Sequence, residues 1–202
     1  MLLLSTAGDL FWLGRYMQRT EYLYQRFFGR NAVNAQTYFS AMGLSPDTET
    51  DTETDDWLDR VYDKELPEYF ERINDNVQTV RGVIDQDAYD LFNTVNRLRQ
   101  DGSQRAACFQ LQACHRAMQA QEPMISLFWQ LGDAVETLDE HIRFGDSNPG
   151  HFQQLALVAT GLPCGAAWDE LKQPAQAMVF TMDIGQFRQW LDRLNELFED
   201  GV

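Results

Sequence analysis

Basic residues are scarce in this sequence, and long apolar runs are absent. Its 202 residues include 16 Lys or Arg and 31 Asp or Glu, which gives a formal net charge of −15. Nucleic acids and anionic membrane surfaces bind clustered basic residues, so this balance argues against both partners. No stretch approaches the roughly 18 consecutive apolar residues of a membrane span. A basic partner protein, or a ligand that carries an amine, suits the charge better.

Cysteine is also rare. The three cysteines, Cys108, Cys114 and Cys164, include no C-x-x-C pair. This odd count predicts reduced, mostly buried thiols in a reducing compartment. The first residues, MLLLSTAGD, have no basic segment, and their apolar run is too short for a signal peptide. We therefore expect a soluble, cytoplasmic protein.

Helical periodicity dominates the chain, with no alternating strand pattern and no glycine-rich phosphate loop. The first helix is predicted to run from Ser5 or Thr6 to about Met42, because apolar residues recur at helical spacing from Leu10 to Phe28. Further helices are predicted to open at Pro67 and after the N-cap Asp85, and to span 104–121, Pro123 to about Phe144, 150–160, 163–172 and 184–199, the last capped by Asp183. The prediction is one all-α domain over residues 1–202, a bundle of seven or eight helices.

An acidic, threonine-rich segment lies at residues 45–56. Residues 47–56 carry six carboxylates and no basic residue, and no apolar side chain anchors them. Because these charges repel one another, we predict a mobile loop. An EF-hand calcium loop is excluded, since Thr52 stands where that loop needs glycine and Leu58 where it needs glutamate.

A second copy of the opening occurs late in the chain. FWLGRYMQRTE (11–21) and WQLGDAVETLD (129–139) each have an aromatic residue, then Leu-Gly, and an acidic residue seven positions after the glycine. This similarity predicts a possible internal duplication.

Both copies also carry side chains opposite their apolar stripes. At about 100° per residue, these far sides combine aromatic rings with charged groups. Such a helix is either buried on two sides or presents a contact surface. The aromatic residues, predicted to form a partner surface, are Phe11, Trp12 and Trp129. The charged residues of the two far sides are Arg15, Arg19 and Glu136.

Three segments resemble the bacterial alpha-E domain family. They are FWLGRYMQRTE, DNVQTVRGVIDQDAYDLFN and ISLFWQLGDAVETLDEHI. They match that family's aromatic-leucine-glycine-arginine-tyrosine opening, its Asn-x-x-x-Val-Arg segment and its second copy of the opening. Their order and rough spacing agree, over residues 3–144.

The resemblance implies an all-helical protein that works beside a circularly permuted ATP-grasp amide ligase, often with a transglutaminase-like peptidase. A role in peptide or amide-bond metabolism follows from those companions. The positions that match the family's motifs are Arg15, Arg19, Glu21, Asn76 and Arg81, with Gly132, Glu136 and Asp139 in the second copy.

The chain departs from the family pattern at three positions. Gln18 stands where the opening usually has glutamate, and Asp133 and Thr137 stand where the second copy usually has arginine. If the family site is a ring of Arg and Glu from both copies, half of it is missing here. These departures favour a divergent accessory member over a full catalyst.

Three functions remain open. The first is an accessory or ligand-binding module that docks an ATP-grasp ligase or holds a peptide-like substrate. The second is an enzyme that forms or breaks amide bonds, with Glu21 or Glu136 transferring protons. The third is a structural interaction scaffold. If the charged motif residues surround a shared concave pocket, the first two functions are favoured. If they are buried as isolated ion pairs, the third function is favoured. The residues predicted to bind the ligand are Arg15, Arg19, Asn76 and Arg81.

Metal and nucleophile chemistry have no supporting pattern. A carboxylate-bridged di-metal bundle needs Glu-x-x-His on paired helices, and His141 does not follow a Glu by three positions. Cys114 and His115 are neighbours on a helix, so their side chains point about 100° apart. The sequence therefore predicts no metal and no cofactor.

Overall fold

The computed structural model describes residues 2–28, 35–43 and 60–199. Within these ranges it contains helices and no strand, which confirms the all-α class, with nine helices where seven or eight were predicted. The helices are α1 (Leu4–Phe28), α2 (Ala35–Ala41), α3 (Leu66–Val80, after one π-helical turn at Val61–Glu65), α4 (Gln86–Gln100), α5 (Gln104–Gln119), α6 (Pro123–Phe144), α7 (Pro149–Thr160), α8 (Ala166–Thr181) and α9 (Ile184–Glu199). The predicted acidic loop at 45–56 lies outside the described residues, and so do residues 29–34 within the predicted first helix.

Several predicted helix boundaries are confirmed by their caps. Pro67 lies in the first turn of α3. The Asp85 carboxylate accepts a hydrogen bond of 2.7 Å from the Ala88 N–H at the start of α4. Asp183 does the same for α9, accepting from the Gly185 N–H at 2.7 Å. These side chains satisfy N–H groups that have no partner within the helix.

The eighth helix differs from its prediction of 163–172. It begins at Ala166 and continues through Pro174 to Thr181. Proline lacks the N–H that an interior helical position donates, and it usually interrupts a helix. Here Leu171, Ala175 and Met178 are buried at helical spacing on both sides of the proline. We attribute the continuation of α8 to this packing.

Helices α1 and α6 form the centre of the bundle. α1 packs along α6 and α3, and it also contacts α5 and α9. α4 lies beside α5, while α7, α8 and α9 pack in sequence from α6 outward. Among the largest fully buried side chains are Phe11 and Trp129, one from each central helix. In the described ranges, no helix combines the length and apolarity that crossing a bilayer requires.

The prediction that the cysteines are mostly buried, unpaired thiols is confirmed. Cys108 and Cys114 are free thiols buried in α5, while Cys164 is a free thiol at an exposed position before α8. Burial raises the pKa of both α5 thiols to about 12. They are therefore protonated near neutral pH and make poor nucleophiles.

Candidate functional site

The two copies of the opening motif meet at a glycine crossing. A methyl group on Gly14 would lie 2.1 Å from the Trp129 carbonyl oxygen, and one on Gly132 would lie 1.9 Å from the Phe11 carbonyl oxygen. Each glycine therefore faces the carbonyl three residues before the other glycine. This reciprocal contact is what two copies related by a local two-fold axis would make. It supports the predicted duplication and requires glycine at both positions.

Phe11 and Trp129 are buried at this crossing, so their prediction as partner-surface residues is wrong. Both side chains have 0% exposure. The Phe11 ring packs 5.2 Å from the Phe198 ring, and the Trp129 indole N–H donates to the Met17 sulfur at 3.3 Å. The crossing covers the facing sides of α1 and α6, while α3, α5 and α9 pack on other sides of α1, and α5 and α7 on other sides of α6. Two-sided burial, the first of the two interpretations of the helical pattern, is the correct one.

A buried ionic cluster lies beside the crossing. The Arg15 Nε donates to Glu136 Oε2 at 2.9 Å, and Arg19 donates from Nε to Oε1 at 2.6 Å and from Nη2 to Oε2 at 2.9 Å. Arg15 Nη2 also lies 3.5 Å from Asp139 Oδ2. Burial alone would raise the pKa of Glu136, but the charges and hydrogen bonds of Arg19 and Arg15 bring that pKa below its usual value.

Both arginines are therefore engaged within the fold. Arg15 is 6% exposed and Glu136 is 2% exposed, so this is a buried ion pair between α1 and α6. Removing one partner from such a pair leaves a buried, uncompensated charge. That Arg15 and Arg19 bind a ligand stays a prediction, and Glu136 would compete for either guanidinium.

The same helices carry a second ionic group one to two turns further on. Arg26 Nε donates to Glu140 Oε1 at 2.9 Å, while Glu140 Oε2 is buried without a hydrogen-bond partner. Burial raises the pKa of Glu140 to about 7 despite Arg26. Nearby, the His141 ring stacks on His151 with 3.9 Å between the ring centres.

Glu21 faces α5 and lies apart from the arginine cluster. Its Oε2 is 3.3 Å from His115 Nε2, and His115 Nδ1 is 3.9 Å from Asp133 Oδ1. Burial, and secondarily the charge of Glu21, raises the pKa of Asp133 to about 7, and burial lowers that of His115 to about 4. In the alignment of the two copies, Asp133 takes the position of Arg15. The glycine crossing thus has one arginine-rich side and one acidic side.

A groove of about 240 Å³ opens between α1 and α3. Trp12, which is half-buried, lines it together with Asn76, so two predicted site residues do come together here. Tyr16, Arg72 and Asp75 complete the described lining, and the sequence analysis missed all three. The signal that was available is the spacing of positions 72, 75 and 76, which puts them on one face of α3.

Arg81 is not brought to this region. It is exposed and caps the C-terminal end of α3. α3 runs antiparallel to α1: Tyr69 packs near Tyr16, whereas Thr79 lies close to Asp9. Arg81 consequently lies toward the start of α1, away from Arg15 and Arg19.

The described residues contain no group of three or more His, Cys, Asp or Glu side chains arranged to hold a metal ion. Comparison of the whole chain with protein-family models, curated proteins and solved structures gives no match to any of them. The alpha-E resemblance accordingly stays a prediction from the three motifs.

Proposed function

We propose that the protein is a helical accessory module that binds a peptide-like ligand in the α1–α3 groove and works with an ATP-grasp amide or peptide ligase. One observation carries the ligand-binding part of the proposal. The groove surrounds about 240 Å³ with an indole, a phenol, a guanidinium, a carboxylate and an amide, from Trp12, Tyr16, Arg72, Asp75 and Asn76. Apolar surface with a few convergent polar groups is typical of small-molecule sites.

The lining groups suit a ligand with an amine and a carboxylate. Among the described residues, the Arg72 guanidinium has only a long contact of 3.9 Å to Glu68, and its side chain is half exposed, so it can take a carboxylate. Asp75 is exposed on the next turn of α3 and offers a counter-charge for an amine. The Trp12 and Tyr16 rings offer apolar faces for the side chain between these two charges. A free amino acid or the residues of a short peptide have this combination.

The partnership with an ATP-grasp ligase rests on the resemblance of the opening and middle motifs to the alpha-E family. The enzyme alternative has less support from the geometry. Glu136 is held by two arginines, and Glu21 lies beside His115; neither lines the α1–α3 groove. A proton-transfer group would need to reach the ligand within hydrogen-bonding distance.

A structural scaffold is the second candidate. It is favoured by the ionic cluster, in which Arg15 and Arg19 both pair with the buried Glu136. On this view the opening motif joins α1 to α6 and has no ligand. The accessory module requires a ligand in the α1–α3 groove, whereas the scaffold requires none.

The test is calorimetric titration of alanyl-alanine into the wild-type protein and three variants. We expect Asp75→Asn to weaken binding about tenfold, since a hydrogen bond to a charged group contributes about 1.5–3 kcal/mol. We expect Trp12→Ala to weaken it about tenfold as well, because the ligand loses the apolar surface of the indole. Phe109→Ala is the matched control, because Phe109 is an aromatic residue 73% exposed on α5. N-acetylated and C-amidated forms of the dipeptide should each bind more weakly than the free form.

Binding that is absent from the wild type, or equal in all four proteins, would refute the groove as a peptide site and favour the scaffold. Co-expression with an ATP-grasp ligase encoded beside this protein tests the partnership separately. Co-purification of the two proteins supports it, and their separation at micromolar concentration contradicts it.

A further inference from the structure

A second groove lies between the C-terminal helices α8 and α9, far in sequence from the opening motif. Its volume is about 900 Å³. None of the residues that line it was predicted as a site residue. The α1–α3 groove and the α8–α9 groove share no lining residue, so each can be tested without the other.

The floor of the α8–α9 groove is apolar. Leu171, Pro174 and Ala177 contribute from α8, and Leu197 contributes from α9. Phe180 follows Ala177 by three positions on α8, and its side chain is 87% exposed. At the turn into α9, Met182 and Ile184 are 45% and 41% exposed. An apolar strip therefore continues from the groove to the end of the helical hairpin, and nothing in the described chain covers it.

Carboxylates stand on both walls of the groove. Glu170 lies on α8 and Glu196 on α9, and neither forms an ion pair with any residue in the described ranges. Asp169 also lines the groove, but it pairs with Lys172 at 3.0 Å. Arg193 is the only basic residue in the described lining. The Asp169–Lys172 pair is neutral, so Glu170 and Glu196 set against Arg193 leave the described lining with a net charge of −1, with a carboxylate on each helix.

We propose that the α8–α9 groove is a docking site for a basic amphipathic helix of a partner protein. The apolar face of that helix covers Phe180 and the groove floor, and its Lys or Arg side chains pair with Glu170 and Glu196. Helix-in-groove recognition uses this combination of apolar anchors and flanking charges. The proposal is independent of ligand binding in the α1–α3 groove.

Charge decides between this occupant and the alternatives. A second copy of the chain carries a net charge of −15 and would be repelled by a groove with carboxylates on both walls. An anionic membrane surface would be repelled for the same reason. A small zwitterion would leave Phe180 exposed. A cationic helix neutralises the walls and covers the apolar strip.

The probe is a synthetic helical peptide of about 18 residues, with Leu on one face and Lys on the other, titrated at about 0.15 M salt. We expect Glu170→Lys with Glu196→Lys to weaken binding at least tenfold, and Phe180→Ser to weaken it about tenfold without any change in charge. The matched control reverses two exposed carboxylates elsewhere, Glu71→Lys with Asp87→Lys, on α3 and α4. This control changes the net charge by the same amount.

Equal weakening by the control pair would mean that the peptide responds to overall charge, and it would overturn the proposal. So would unchanged binding in the Phe180→Ser variant, or a peptide in which Glu replaces Lys binding as tightly as the basic one. A stable dimer in light scattering that Phe180→Ser dissociates would assign the surface to a second copy instead. Failure of alanyl-alanine to bind the α1–α3 groove would leave these results unaffected.

Discussion

Replacing Gly14 or Gly132 with alanine should force α1 and α6 apart. A methyl group would lie 2.1 Å from the Trp129 carbonyl oxygen in the first case and 1.9 Å from the Phe11 carbonyl oxygen in the second. Such contacts are essentially never shorter than 3.0 Å, so the helices must separate locally by about 1 Å. Because the obstructing atoms belong to the backbone, no change of side-chain rotamer relieves the clash.

The expected loss follows from two opposing effects. Alanine has a higher helix propensity than glycine, which favours either variant by about 1 kcal/mol. Overpacking costs about 1–3 kcal/mol, and separation of the helices also loosens the buried Phe11, Trp129 and Glu136 side chains. We expect a net loss of about 1–2 kcal/mol in the free energy of unfolding. For a chain of this length that corresponds to a decrease of about 2–8 °C in melting temperature.

Gly8→Ala is the matched control, since Gly8 lies in the same helix. A methyl group there would lie 3.4 Å from the Phe198 ring, an ordinary van der Waals contact. This variant should melt at or slightly above the wild-type temperature. Urea titration and thermal melting followed by circular dichroism measure all three variants. If Gly14→Ala and Gly132→Ala melt as Gly8→Ala does, the close crossing of α1 and α6 is wrong.

Three further predictions concern buried charges and rings. Arg15→Ala combined with Arg19→Ala should lower the free energy of unfolding at pH 7 by about 3 kcal/mol, because Glu136 would stay buried without either partner; an unchanged urea midpoint would contradict the cluster. The folded-state pKa of Asp133, about 7, exceeds its ordinary value of 3.8, so the fold favours the protonated carboxyl. The contribution of this protonation to the free energy of unfolding is complete below pH 3.8 and is lost as the pH rises to about 7. The free energy of unfolding of Asp133→Asn should therefore exceed that of the wild type by about 2–3 kcal/mol at pH 8 and equal it near pH 4. Equal free energies at pH 8 would contradict the raised pKa. Trp129→Ala should cost about 3–5 kcal/mol and Trp12→Ala about 1 kcal/mol, and melting temperatures in the opposite order would contradict their burial.

Most helix boundaries could be predicted because their signals are local. Asp85 and Asp183 accept from N–H groups two or three residues ahead, and Pro67 occupies a first-turn position where no N–H donor is needed. The sequence therefore contains each of these signals in full. The end of α8 could not be predicted in this way. Its continuation past Pro174 depends on the burial of Leu171 and Met178 against other helices, which local spacing does not reveal.

The site residues divide along the same line. The pattern of rings and charges opposite the core stripe is local, and it drew attention to Trp12 and Arg15. Whether that side meets solvent or another helix depends on Gly132, which lies more than a hundred residues away from Arg15 in the sequence. Asn76 was identified by resemblance, and Arg72 and Asp75 share its face of α3 through helical spacing. Only the packing of α3 against α1 brings Trp12 and Tyr16 to that face.

The glycine crossing resembles the interface of a two-fold dimer whose halves have been joined into one chain. In a true homodimer every substitution appears twice, so an arginine introduced on one side also appears on the other. Joining the halves removes that constraint. Here Arg15 meets Glu136 on one side, while Asp133 and Glu21 flank His115 at the related position on the other. A single chain can therefore hold opposite charges at two positions that symmetry would otherwise keep identical.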